Sequence, residues 1–323
     1  MANLISTVYG CLRPALTCLF WGLTAALAYA LPEFLSFEFP KEQAVGKLYF
    51  TRVIADNFVE RSEGATKWIW ARGTVKLPAT QQFSLFLNYA GVEDPSFIDR
   101  LSPECKAQIV EVDMRSVENV QDTTLSHLRG LTKVRHLNID NTDVTDAGLA
   151  PLSSLEKLYG LSMNGTLVKG PGLQYLANLP RLTTLSFSCG DLRGGKLSAL
   201  PGFKHLTILG LSSTCLTDRA LQYIGRVPSL LSLDISRNNV TDKGLSSLTD
   251  LQQLVSLNLQ DTKITANAVA SLSKLPRLST LDLWENQLPK EDLAKMQKAL
   301  PHCHIQTHKR DSRIDSKLFS PLK

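Results

Sequence analysis

A chain of 323 residues with 43% hydrophobic content has enough apolar material for one large packed domain or two ordinary ones, so disorder is excluded as its overall class. The net charge of +5 on 35.6 kDa is mild and partly carried by residues 309–323, so no nucleic-acid groove is implied, and six cysteines over this length do not make a disulfide scaffold. Leucine is the anomaly: of 55 in the chain, 40 fall between residues 125 and 300 while aromatics stay at 7%, which points to repetition rather than an ordinary core.

The first element is an apolar run from Ala15 to Leu31, with Arg13 ahead of it and Glu33 and Glu38 behind. That charge order leaves the N-terminus in the cytoplasm. The run closes on Ala28-Tyr29-Ala30, the small-x-small spacing that signal peptidase reads, and predicts export with cleavage before Leu31. An uncleaved anchor, with residues 15–31 attached to a membrane, is the alternative, since the run is at the lower limit for spanning a bilayer. Neither Cys11 nor Cys18 sits in a lipoprotein pattern.

Residues 31–107 read as a small β-rich module. Lys67 to Pro78 and Gln82 to Tyr89 alternate as strands do, and Leu77-Pro78-Ala79-Thr80-Gln81 between them predicts a hairpin connection. Trp68 and Trp70 fall on one strand face, as core tryptophans or as a binding patch.

From about residue 108 to 308 the chain repeats with a period of 24. Leu137, Leu161, Leu185, Leu209, Leu233, Leu257 and Leu281 share one position, continued by Ile305, and Ile139 through Leu283 share the position two residues on. Val144 through Leu288 and Leu149 through Leu293 form two more series, and Val112 and Met114 fit one repeat earlier with a single inserted residue. Spacing of two around Leu137 and Ile139 gives way to three through Leu149, Leu152 and Leu155, the pattern of a short strand, a turn and a short helix. Thr145-Asp146, Thr217-Asp218 and Thr241-Asp242 put side-chain oxygens where each helix begins, beside free backbone donors. One such unit buries too little to offset the ordering of its own backbone, so stacking is obligatory. Lys169-Gly170-Pro171-Gly172 and Arg193-Gly194-Gly195-Lys196 lack the Thr-Asp step, and those turns are expected to be looser than their neighbours. Pro289 introduces a last helix with Leu293, Met296 and Leu300 on one face, expected to cap the stack.

With L-x-x-V-x-x-L-x-I-x-x-T-x-V-T-D-x-G-L from Leu131 to Leu149, the chain resembles leucine-rich-repeat proteins, most of all the exported bacterial ones. The T-D-x-G-L step is also similar to that of eukaryotic F-box adaptors. The resemblance implies an α/β solenoid, or horseshoe, whose strands line a concave side.

Catalytic spacing is absent from the sequence: there is no Gly-rich phosphate loop, HExxH, GxSxG or CxxC, and neither an enzyme nor a cofactor is expected. His302, Cys303, His304 and His308 are zinc-ligand types, yet strand alternation sends Cys303 away from its neighbours and no metal site is expected. Cys189 and Cys215, two residues out of register in successive repeats, stand as separate thiols or as a bridge. Asn164-Gly165-Thr166 and Asn239-Val240-Thr241 match the N-glycosylation acceptor at turn positions.

The informative residues lie between the leucines. On the outward side of the strands stand His136, Asn138, Asp140, Asp234, Arg237, Asn258, Gln260, Asp261, Asp282, Trp284 and Glu285, a polar strip with far more carboxylate than base. Trp284, read as exposed among Asp261, Asp282 and Glu285, is the expected anchor for a polypeptide with basic or polar groups. The tail from Lys309 to Lys323 carries five bases and has the composition of a disordered segment. These features predict an exported or membrane-tethered interaction module that binds a protein or peptide, not nucleic acid. An intracellular ubiquitin-ligase adaptor of F-box type is the alternative that the second resemblance implies.

Overall fold

Six strands precede the repeats: β1 (Phe34–Glu38), β2 (Gly46–Ala55), β3 (Phe58–Arg61), β4 (Trp68–Trp70), β5 (Thr74–Pro78) and β6 (Phe83–Leu87). The computed structural model describes residues 34–55, 58–61, 68–193 and 197–307. The apolar run at residues 15–31, the Gly194 to Lys196 turn, the residue 309–323 tail and the side chains of Trp68 and Trp70 lie outside the described residues. No helix among the described residues is long and apolar enough to cross a membrane.

The expected hairpin does not form. β5 pairs with β1 in a separate two-stranded sheet, whereas β6 lies between β2, antiparallel, and the first strand of the repeats, parallel. Burial gives the reason. Phe83, Ser84, Leu85 and Leu87 are all buried, so both faces of β6 are covered and both of its edges are taken up by neighbours. Pro78 and Gln81 still make the tight turn, with Gln81 N–H donating to Pro78 O at 3.0 Å, but the turn passes the chain from one sheet to the other. Phe37 packs on Phe83 with ring centroids 5.1 Å apart, and Phe39 on Phe97 at 5.8 Å, which closes the open end of the leucine core with aromatic rings.

The repeats then add one strand each: β7 (Ile109–Asp113), β8 (His136–Asn138), β9 (Gly160–Ser162), β10 (Thr184–Ser186), β11 (Ile208–Gly210), β12 (Ser232–Asp234), β13 (Ser256–Asn258), β14 (Thr280–Asp282) and β15 (His304–Gln306). All are parallel and in register, so the leucine series from Leu137 to Ile305 runs straight across the sheet, with Val112 opposite Leu137. Among the described residues the sheet counts thirteen strands, because β6, β2, β3 and β4 continue it without a break. Strands β2, β3, β4 and β6 of the β-rich module thus extend the sheet of the repeats, while β1 and β5 keep their own two-stranded sheet. The return segments are mostly short 3-10 turns, such as Asp146–Ser154 and Pro171–Tyr175, with α-helix at Asp218–Ile224 and Lys290–Ala299. Met296 in the last helix and Leu300 just after it are buried.

The T-D-x-G step works between repeats as well as within one. Thr145 and Thr241 cap their own helices by accepting from the N–H two residues on. The aspartates reach across to the next repeat. Asp122 accepts from Thr145 N–H at 2.8 Å and from its hydroxyl at 2.6 Å; Asp218 does the same to Thr241, and Asp242 to Thr265. The glycine of the step is the price of this approach: a Cβ on Gly148 or Gly244 would collide with the carboxylate of Asp122 or Asp218. Asp146 holds Lys169 N–H and Gly172 N–H, so the first turn without Thr-Asp receives a carboxylate from its predecessor but, with Gly170 in the aspartate position, passes none on.

A second row lies inside the turn after each strand. The hydroxyls of Thr142, Thr166, Thr214 and Thr262 donate to the carbonyl three residues back, and Asn238 and Asn286 hold the same position in other rungs. Asn238 Oδ1 also accepts from Thr214 and Leu216 N–H in the preceding rung. Gly190 occupies this position in one rung and offers no side chain.

Asp218→Ala removes two bonds between repeats and strands the Thr241 N–H. The expected loss is about 1–3 kcal/mol, read as a lower urea midpoint with faster exchange of the Thr241 amide; an unchanged midpoint and exchange rate would contradict the ladder.

Candidate functional site

One face of the sheet is open. In β8, β10, β11, β12 and β13 the middle leucine or its equivalent is buried and the two flanking residues are half-buried, so the flanking side chains form the floor of that face. Parallel rungs sit about 4.8 Å apart on this side.

The floor is tied down by its own polar groups. Asp113, Asn138, Asp234, Asn258 and Asp282, each just after the buried position, accept the backbone N–H two residues on, from Arg115, Asp140, Ser236, Gln260 and Trp284 at 2.9 to 3.1 Å. Further across, Asp140 accepts from the Ser162 hydroxyl and Asn164 N–H, both at 2.7 Å, and Asn164 Oδ1 repeats the arrangement with Ser186 and Ser188. These bonds orient the side chains and leave the negative charges in place.

Beyond them, Asn141, Gly165, Cys189, Ser213, Arg237, Asp261 and Glu285 form a row with φ between 48° and 66°, one in each rung. Glycine is the residue such a conformation favours, yet six of the seven are other types.

The sequence-predicted residues thus divide into two places. Asn138 and Asp140, with His136, lie at the N-terminal end. There a groove of about 320 Å³ is lined by Glu111, His136, Asn138, Gly160, Ser162 and Ser186. His136 lies across the space that Gly160 leaves open and 5.7 Å from the Tyr159 ring. Asp234, Arg237, Asn258, Gln260, Asp261, Asp282, Trp284 and Glu285 lie several rungs away, where Gln260 Nε2 donates to Glu285 Oε2 at 3.1 Å. Trp284 is half-buried rather than exposed, and Asp282 is buried. The strand β15 runs beside β14 and pairs Gln306 with Asp282. Glu111, which accepts from the Ser84 hydroxyl and lies opposite His136, was not among the residues singled out from the sequence.

Elsewhere, His302 and His304 are exposed while Cys303 between them is buried, and among the described residues no three metal-ligating side chains gather. Burial pushes the Cys303 thiol up to about 11. Cys189 and Cys215 are exposed and free. Asn164 of the first glycosylation motif is held in the floor lattice, and Asn239 of the second is exposed.

The Leucine Rich repeat family matches residues 130–153 and 228–248. No curated protein matches the chain. Among the solved structures that it resembles is an internalin from Listeria monocytogenes, 22% identical, covering 65% of this chain and 70% of that one with a TM-score of 0.39.

Thiol alkylation of the folded chain at pH 8, mapped by peptide mass, should modify Cys189 and Cys215 readily and Cys303 about a hundredfold more slowly, since little of a thiol titrating near 11 is ionised there. Equal rates at Cys303 and Cys189 would contradict the burial.

Proposed function

We propose that this chain, whose leucine-rich repeats match that family at residues 130–153 and 228–248, works as a non-enzymatic binding module holding a polypeptide against the open face of its parallel sheet. The observation that carries this reading is the charge on an ordered floor. Glu111, Asp140, Asp234, Asp261, Asp282 and Glu285 stand there against Arg237, while Asp113 is neutralised by Arg115. A partner segment with lysines or arginines spaced along it would find carboxylates at both ends and small hydroxyl side chains between. Because the floor side chains are already fixed by hydrogen bonds, little entropy is lost at the face when a partner docks.

Trp284 and the exposed Asp261 and Glu285 supply the anchor at the C-terminal end, and His136 and Asn138 line the groove at the other. Half-burial suits Trp284 to this role, because a ring held by its neighbours costs less to immobilise than a free one. The apolar run from Ala15 to Leu31 favours an exported or membrane-tethered setting. The adaptor alternative calls for a recruiting pair of helices ahead of the repeats. Among the described residues ahead of the repeats, the helices at Tyr89–Glu93, Phe97–Arg100 and Pro103–Lys106 have five residues or fewer.

A photo-crosslinking residue placed at Ser186 or Gln260 of the open face should capture a polypeptide in the native source, and the same residue at the helical-side Gln222 should not. Trp284→Ala combined with Glu285→Gln should reduce the Gln260 capture severalfold without lowering the unfolding midpoint by more than a few degrees. Capture from Gln222 alone, or capture indifferent to the double substitution, would refute the reading.

A further inference from the structure

A margin of opposite charge runs where the chain turns from the helical side into each strand. Four residues ahead of the buried leucines stand Lys133, Lys157, Arg181 and His205, with Lys204 next to the last. Lys133, Arg181, Lys204 and His205 are exposed and Lys157 is half-buried. Two residues further on, Tyr159 N–H donates to Arg135 O at 2.7 Å, Thr183 to Tyr159 at 3.0 Å and Thr207 to Thr183 at 2.8 Å, so the row is pinned rung by rung. The backbone rungs that carry the cations therefore recur about every 4.8 Å.

Their charge is uncompensated. Arg100, Arg115, Arg193 and Lys295 are each tied to an aspartate, but Lys133, Lys157, Arg181 and Lys204 make no ion pair among the described residues. Glu156 is the one acid at residues 132–133, 156–157, 180–181 and 204–205. At the head of the row Arg135 Nη1 is buried with no acceptor among the described residues. The row ends where Ser229 and Gln253 replace the bases, and the Arg277 guanidinium beyond them bonds Gln253.

We propose that this margin binds a linear acidic polysaccharide, independently of the open face. A single file of cations suits a chain better than a membrane plane. An extended acidic peptide presents side chains on one side about every 6.7 Å, so against rungs of about 4.8 Å it slips out of register by about 6 Å over three steps. Single-stranded nucleic acid calls for aromatic platforms among the cations, and the one ring at hand, Tyr159, is packed on His136. A chain of sugar rings bearing sulfate or carboxylate on successive rings, each ring about as long as a rung is wide, keeps pace with the row.

The test uses the full chain with heparin as probe. Lys133→Gln, Lys157→Gln, Arg181→Gln and Lys204→Gln together should weaken binding about tenfold or more near 0.1 M salt. They should also flatten the dependence of log Kd on log salt by about three to four. Replacing Lys309, Arg310, Arg313 and Lys317 with Gln in a second protein should change Kd less than about threefold. Arg181→Gln alone, at an exposed position, should weaken binding about twofold to threefold. Wild-type affinity in the fourfold variant, loss confined to the tail variant, or tighter binding of poly-glutamate, single-stranded DNA or anionic vesicles than of heparin would overturn the proposal. None of these outcomes bears on capture at Ser186 or Gln260, so the two readings fail separately.

Discussion

A strand of three residues cannot satisfy its own backbone, and everything else in this molecule follows from that. Each rung from β8 to β14 finds its partners only in the rungs before and after it, in one register repeated every 24 residues. The leucines bury the space between rungs, but they are indifferent to small slips along the stack. Directional bonds fix the repeat: the Asp122–Thr145 and Asp218–Thr241 links on one side and the Thr142 and Asn238 row on the other. Gly148 and Gly244 are small because a carboxylate from the previous repeat occupies the place of their side chain.

The same constraint decides what the surface can do. With the interior given over to stacking, the flanking residues of each strand are free to vary, and here they carry acid. The leading margin of β8 to β11 carries base that makes no ion pair among the described residues. Two surfaces of opposite sign on adjacent sides of one stack allow two ligands of different chemistry without competition for the same residues.

Much of this was legible in the sequence, for reasons that differ by residue. The leucine series is readable because burial repeats with the period, and Asp140, Asp261 and Glu285 are readable as outward once the leucines are placed. The bond from Asp122 to Thr145 was not, since the Thr-Asp pair looks like an ordinary local cap and only the stack shows the carboxylate turned toward the next repeat. The β5–β6 hairpin misled because alternation is a local signal, and the neighbours that exclude β5 from β6 come from β2 and β7. Trp284 was read as open because an outward strand position does not tell how far a large ring lies against its neighbours, and the ring is half-buried.

The ladder is weakest in the middle of the stack. Gly170 passes no carboxylate to the following turn, Thr217 lacks a side-chain cap, and Gly190 interrupts the Thr and Asn row between Thr166 and Thr214. Leucine burial continues unbroken through the same rungs, with Leu185, Phe187, Leu192 and Leu209 all buried. Native-state hydrogen exchange across the sheet separates the two contributions most directly. If directional bonds set the cohesion, amide protection falls to a minimum around β10 and β11 and rises on both sides, toward Thr145 and toward Thr241. Uniform protection from β8 to β14, or a minimum at a rung that keeps both ladders, would contradict it.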